Sequence, residues 1–301
     1  MDEADIEGGG SSVAGKGKFI QSLVDEGDHG WILHELCYHC RMPVICINGA
    51  DIYYESFGGD RDSRRPILLI HGSTIDGRTD WGEIAPQLAN HYKVIVPDCR
   101  GHGRSNNPNM SYSFRELAGD ASAIIRALGY DRAHVIGHSN GGNVALLVLM
   151  EHAEVVQSCT LQAANAYVSR FLIEREPGIF DPDHVAREAP EWMEEMIRLH
   201  SGIHGREYWR DLLQMTVREI ISEPNYTAEE LSRATRPTLV IMGAQDSVNA
   251  PDRHAQFIAG HVPNAECWIP ENTGHNVHKE RPVEWIARIL DFIGRCDGRD
   301  S

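Results

Sequence analysis

Short, continuously apolar runs punctuate the middle of the chain: Ile67 to Ile70, Val94 to Val96, His134 to Ile136, Cys159 to Leu161, Thr238 to Met242 and Cys267 to Ile269. Runs of this kind, without polar alternation, fit strands buried on both faces of a parallel sheet. Between them lie amphipathic segments of helical period, among them Phe114 to Leu128 before Gly129, Asn143 to His152, and Val283 to Ile293 before Gly294. Upstream, Val44 to Ile47 and Ile52 to Phe57 are joined through Asn48-Gly49, a strong hairpin signal, and predict an antiparallel edge. Alternating strands and helices predict a doubly wound α/β fold, with a mostly parallel eight-stranded sheet flanked by helices.

One gap breaks this rhythm. Residues between Leu161 and Thr238 hold helical stretches at Glu191 to Leu199, Tyr208 to Ile221 and Ala228 to Arg233 but no strand, which predicts an inserted helical cap. Pro177, Pro182 and Pro190 are expected to break the start of this cap into loops, a mobile gate. The domain reading is a core over 43–164 and 235–297, a cap over 165–234, and an N-terminal extension over 1–42. That extension begins with an acidic, Gly/Ser-rich stretch expected to be a mobile tail, followed by two short helices between Phe19 and Tyr38.

Composition narrows the possibilities. The 301 residues carry 28 Lys and Arg against 44 Asp and Glu, and the net charge of −16 argues against a nucleic-acid partner, which needs clustered cations to neutralise phosphates. No apolar run approaches membrane-spanning length and no signal-peptide pattern opens the chain, so a cytoplasmic protein with no membrane partner is expected. The seven cysteines are scattered and odd in number, which predicts reduced thiols. Cys37 and Cys40 stand beside His34 and His39, but no second ligand pair follows at zinc-binding spacing, and Tyr38 occupies the position where an HExxH motif needs histidine. No metal is expected.

Chemistry concentrates at Gly137-His138-Ser139-Asn140-Gly141, a GxSxG directly after a buried strand and directly before a helix. The pattern alone recurs by chance in about one chain of this length in ten. Its position makes it specific, because a serine on a tight strand-to-helix turn is lifted to the carboxyl ends of the strands, where ligands bind in open α/β sheets. A serine hydroxyl needs a base. His275 in Gly274-His275, after the last predicted strand, is the candidate, with His278 as competitor, read as a loop or helix-start residue. Asp246, on the loop after Thr238 to Met242, is the candidate acid; the competitor Asp252 is read as the cap of the following helix. For the oxyanion, the backbone N–H of Asn140 and that of Ser73, with Thr74 as alternative, are the candidate donors. Thr74, Trp192, Met196 and Trp209 are candidate substrate contacts, although the cap's aromatic and Met residues also suit its own core.

Four features in order carry a resemblance: the His71-Gly72 turn, Asp98-Cys99-Arg100-Gly101-His102-Gly103-Arg104-Ser105, the elbow at Ser139 and Gly274-His275. From about Pro43 to Ile293 the chain resembles the α/β-hydrolase superfamily in its cap-bearing serine esterase and lactonase branch. The resemblance implies a cofactor-free acyl transfer in the order Ser139, Asp246, His275, a small-molecule ester or lactone as partner, and a structural role for Asp98 to Ser105. Ile75-Asp76-Gly77 stands where carbon–carbon hydrolases of the meta-cleavage type carry Gly-Pro-Gly, and Asn140 where they carry Met. Ser139 also departs from the aspartate nucleophile of haloalkane dehalogenases and soluble epoxide hydrolases. Carbon–carbon hydrolysis, acyl transfer to an acceptor other than water, and non-catalytic ligand binding are the competing readings, and the chain is expected to be a monomer or homodimer.

Overall fold

The computed structural model describes residues 43–59 and 65–298; the expected N-terminal tail, its two helices, and Cys37 and Cys40 lie outside the described residues. The strands are β1 (Val44–Ile47), β2 (Ala50–Phe57), β3 (Ile67–Ile70), β4 (Val94–Pro97), β5 (Ala133–His138), β6 (Val156–Gln162), β7 (Thr238–Ile241) and β8 (Ala265–Trp268). They form one sheet in the order β1-β2-β4-β3-β5-β6-β7-β8. β1 and β2 pair antiparallel, β2 runs antiparallel to β4, and the remaining neighbours are parallel. The hairpin turns on Asn48 and Gly49 at φ 47° and 78°, the two positive values a type I′ turn demands.

The helices are α1 (Gly77–Trp81), α2 (Ala85–Leu88), α3 (Phe114–Ala127), α4 (Asn140–Glu151), α5 (Arg170–Ile179), α6 (Pro182–Glu188), α7 (Pro190–His204), α8 (Tyr208–Ile220), α9 (Ala228–Leu231), α10 (Ala255–His261), α11 (Val277–Glu280) and α12 (Pro282–Asp297). Alternate residues of each buried strand feed two cores. Leu68 and Ile70 of β3 join Val135 and Leu161 beneath α3 and α4 on one face. Ile67 and Leu69 join Ile136, Leu239 and Ile241 against Trp81, Trp285 and Phe292 on the other. The two-residue strand period thus sorts one continuous apolar run into two cores.

From β3 the chain crosses to β4 on one side, then returns to β5 on the other. The carboxyl ends of β3 and β5 therefore flank a topological switch point, where an open sheet leaves a crevice.

Five helices, α5 to α9, stand between β6 and β7. Here the structure corrects the sequence expectation of loops at the prolines. Pro182 and Pro190 begin α6 and α7 as first-turn residues, where a missing N–H has no intrahelical acceptor to lose. Pro177 lies within α5. Asp252 caps no helix, since α10 begins at Ala255 with His254 before it and no side-chain cap. α4 also starts three residues earlier than its apolar pattern indicates, immediately after Ser139.

The start of α4 is pressed against the end of β3. A Cβ on Gly141 would lie 2.3 Å from the Ile70 carbonyl oxygen and 2.4 Å from that of His71. Both obstacles are backbone, which no rotamer change relieves. Gly141→Ala is expected to destabilise the fold by about 1–3 kcal/mol or more, lowering Tm by about 2–4 °C per kcal/mol in a thermal melt.

Candidate active site

Ser139 joins β5 to α4 at φ 55° and ψ −121°, a conformation a β-carbon-bearing residue adopts only when its surroundings impose it. Its N–H donates to the Gln162 carbonyl on β6 (2.9 Å), and its Cβ lies 3.4 Å from where a Cβ on Gly72 would be. The elbow is thus wedged between the ends of β3 and β6. As the first residue of α4, Asn140 directs its backbone N–H out of the helix N-terminus, whose dipole favours negative charge. Neither that N–H nor the one of Ser73 has a hydrogen-bond acceptor among the described residues. The Asn140 side-chain Nδ2 is also buried without a partner.

Asp246 follows β7 and His275 follows β8. The two loops are stitched together: Ala244 N–H donates to Pro270 O (3.0 Å) and Gln245 N–H to Thr273 O (2.9 Å). Asp246 Oδ1 accepts the N–H groups of Val248 (2.8 Å) and Asn249 (2.9 Å), which leaves Oδ2 for His275 Nδ1 at 2.9 Å. Donation from Nδ1 fixes the imidazole tautomer in which Nε2 carries the lone pair. The His275 ring packs 5.2 Å from that of His138, the residue before Ser139, so histidine loop and elbow meet. Asp246 and His275 form a contact; Asp252 does not enter it.

His278, read from sequence as a loop or helix-start residue, is fully buried on α11 and belongs to a network that sequence reasoning missed. At its centre is Asp80 of α1, whose side chain is wholly buried. Asp80 Oδ2 accepts Gly72 N–H (2.9 Å) and His138 Nδ1 (2.9 Å), while Oδ1 faces His278 Nε2 (3.1 Å) and Lys279 Nζ (3.3 Å). The tautomer of His278 follows from its neighbours. Trp285 Nε1 is a donor only and meets Gln162 Oε1 at 2.7 Å, so the Gln162 amide nitrogen faces His278 Nδ1 (2.7 Å), which must accept. His278 therefore donates from Nε2 to Asp80. Burial opposes ionisation of Asp80, but His138 and His278 outweigh it and hold its carboxyl well below the usual carboxylate range. Burial likewise holds His138 down to about 4, leaving it neutral at pH 7.

The ligand atoms of Asp80, His138 and His278 lie within 4.8 Å of one another, close enough to invite a metal reading. Asp80 and His278 are already committed to their hydrogen-bond partners, however, Lys279 sits at the carboxylate, and of the three residues only His138 keeps a ring nitrogen, Nε2, without a partner. The set fits a hydrogen-bonded network and not a cation site.

The cap reaches the site from two sides. Trp192 Nε1 donates to Thr74 Oγ1 (3.1 Å) and His200 Nε2 to the Thr74 carbonyl (2.9 Å), beside Ser73. Arg175 Nη1 donates to the Ser247 carbonyl (3.1 Å), next to Asp246. Of the candidate substrate contacts, Thr74 is buried at φ 61° and held by the cap, and Trp192 is half-buried against Phe180. Met196 and Trp209 pack in the main hydrophobic core. The Asp98–Ser105 turn carries cap anchors: Gly103 N–H donates to His200 Nδ1 (2.8 Å), Tyr208 Oη to Gly101 O (2.9 Å) and His204 Nε2 to Ser105 O (2.9 Å).

This sheet, crevice and elbow define a hydrolase architecture, and comparison with known proteins agrees. A family model described as alpha/beta hydrolase fold matches residues 65–282, and the chain belongs to that family. It is similar to human serine hydrolase BPHL (26% identical over 261 residues, 83% of this chain and 85% of that protein). It is also similar to a soluble epoxide hydrolase from Corynebacterium sp. (34% identical over 300 residues, 86% of this chain and 98% of that protein). Among solved structures, Est816, described as an N-acyl homoserine lactone degrading enzyme, superposes with a TM-score of 0.66 at 26% identity, covering 83% of this chain and all of that one. The protein is a hydrolase by family.

Asp80→Asn removes the charge that three hydrogen-bond donors and Lys279 are arranged around, and is expected to destabilise the fold by about 3–5 kcal/mol at neutral pH. Because the folded-state pKa of Asp80 is depressed, its contribution is fully present above the unfolded value of 3.8 and is lost as pH falls below it. Urea melts of wild type and variant should therefore differ most above about pH 5 and converge on acidification; a difference independent of pH would show that the charge is not what matters.

Proposed function

We propose that the protein hydrolyses a carboxylic ester or lactone through an acyl-enzyme on Ser139. The observation that carries this reading is the Asp246–His275 contact at 2.9 Å beside a serine held at φ 55° on the elbow. His275 Nε2 takes the Ser139 proton, the freed oxygen attacks the carbonyl, and Asp246 stabilises the imidazolium that forms. The N–H groups of Asn140 and Ser73 hold the tetrahedral oxyanion at the positive end of α4. Collapse expels the alcohol, with His275 returning the proton to it. His275 then draws a proton from water, which releases the acid and restores the Ser139 hydroxyl. None of these steps calls on a cofactor.

The Trp192–Thr74 hydrogen bond supports a role for both residues at the substrate wall next to the oxyanion donors. The burial of Met196 and Trp209 in the main core supports a packing role for both.

Hydrolysis of p-nitrophenyl esters of graded acyl length, measured on wild type and Ser139→Ala together, tests the proposal. Wild type should turn over the short esters, and the variant should lose several orders of magnitude in kcat. Equal activity in the variant would sink the mechanism; no activity in wild type on esters or lactones would turn attention to carbon–carbon cleavage on the same residues.

A further inference from the structure

Glu176 is a buried carboxylate that the proposed mechanism does not use. It lies on α5 with Leu172 four residues before it and Phe180 four residues after, and all three are buried, Glu176 at 3% exposure. They form one inward stripe, in which an apolar side chain at the central position would carry no desolvation penalty. The stripe is tied across the site at its middle and at its C-terminal end. Arg175, adjacent to Glu176, donates to Ser247 on the Asp246 loop (3.1 Å). Phe180 packs edge-on against Trp192 at 5.4 Å, and Trp192 donates to Thr74 on the Ser73 loop. The helix that carries Glu176 is thus tied to the loop of the candidate acid through Arg175 and to the loop of the candidate oxyanion donor through Phe180 and Trp192.

Its carboxylate is not satisfied there. Oε1 is buried and has no hydrogen-bond partner among the described residues. Arg175 Nη1 lies 3.4 Å from it, but directs its hydrogen bond to Ser247. Burial raises the carboxyl above its usual range, and the nearby Arg175 and His275 only partly oppose this. Glu176 does not serve as the acid of the triad, because His275 Nδ1 is already engaged by Asp246. What remains is a second buried acid within electrostatic reach of His275, whose Oε1 accepts no hydrogen bond among the described residues.

We propose that Glu176 is the specificity-determining residue of this site and receives an ammonium group carried by the substrate. The inference rests on the ester-hydrolase reading for the bond cleaved, not for the binding contact itself. An ammonium supplies the hydrogen-bond donors that Oε1 lacks, and adds a positive charge to that of Arg175. An anionic substituent would instead meet Glu176 and Asp246 together.

Esters of short ω-ammonium acids of increasing chain length, each compared with its methyl-terminated isostere and its carboxylate-terminated counterpart, read the proposal directly; 2-aminoethyl esters place the ammonium on the alcohol side. Wild type should favour the best ammonium substrate over its neutral isostere by about ten- to a hundredfold in kcat/KM, and Glu176→Gln should collapse that ratio toward one, chiefly through KM. A wild-type preference for the neutral or carboxylate ester overturns the proposal, as does a preference that survives in Glu176→Gln. Calorimetry on Ser139→Ala, with and without Glu176→Gln, separates this from the fate of the hydrolase reading. Tighter binding of the ammonium ester that disappears with Glu176→Gln supports the contact even if wild type cleaves none of the esters, whereas equal binding of ammonium and neutral forms removes it.

Discussion

Everything in this molecule that resembles chemistry depends on holding one non-glycine residue, Ser139, in a backbone conformation it would not choose alone. Strain of this kind persists only where the surroundings over-determine it. Here they do so from three directions. β6 accepts the Ser139 N–H, the end of β3 leaves no room for a side chain at Gly141, and α4 begins at the next residue with ten consecutive buried positions. The two cores that sandwich the sheet therefore act as the clamp for a single turn.

A second constraint is electrostatic. Asp80 gathers hydrogen bonds from the β3 turn, from β5 and from α11, joining three segments whose ends surround the crevice. A buried carboxylate with one donor would be a liability; with three donors and an ammonium at its rim it becomes a fixed point. The same comparison makes Glu176 conspicuous. Both are acids withdrawn from water, but one is fully engaged by protein and the other is not.

Much of the core was legible in the sequence. Buried parallel strands announce themselves as continuous apolar runs, and β3, β4 and β7 lie within a residue of where those runs predict them. Ser139, Asp246 and His275 stood out as candidates because each follows such a run, past the carboxyl end of a strand. The cap was harder, since Pro182 and Pro190 signal helix starts as readily as helix ends, and without strands on either side the two meanings could not be told apart. Asp80 and His278 were illegible for a different reason. An aspartate amid Arg78 and Thr79 looks like solvated surface, and only the closing of the sheet decides that it is interior. Glu176 left a faint trace, an acid in the middle of the Leu172–Phe180 stripe, that a helical-period reading of 170–180 could have found.

The way the cap is fastened bears on how such a protein diversifies. Its anchors at Thr74, Gly101, Gly103, Ser105 and Ser247 engage backbone groups or one hydroxyl of the core. Main-chain atoms survive most substitutions in the core, so this part of the docking platform is insulated from sequence drift beneath it, unlike the side-chain pairs Arg115–Glu223 and Glu151–Tyr226. The inward face of α5 makes up little of the chain, yet on the proposal above it is the surface that selects the bound molecule. New selectivity can therefore arise by exchange at a few positions on one helix while the strained turn and its clamp are inherited untouched.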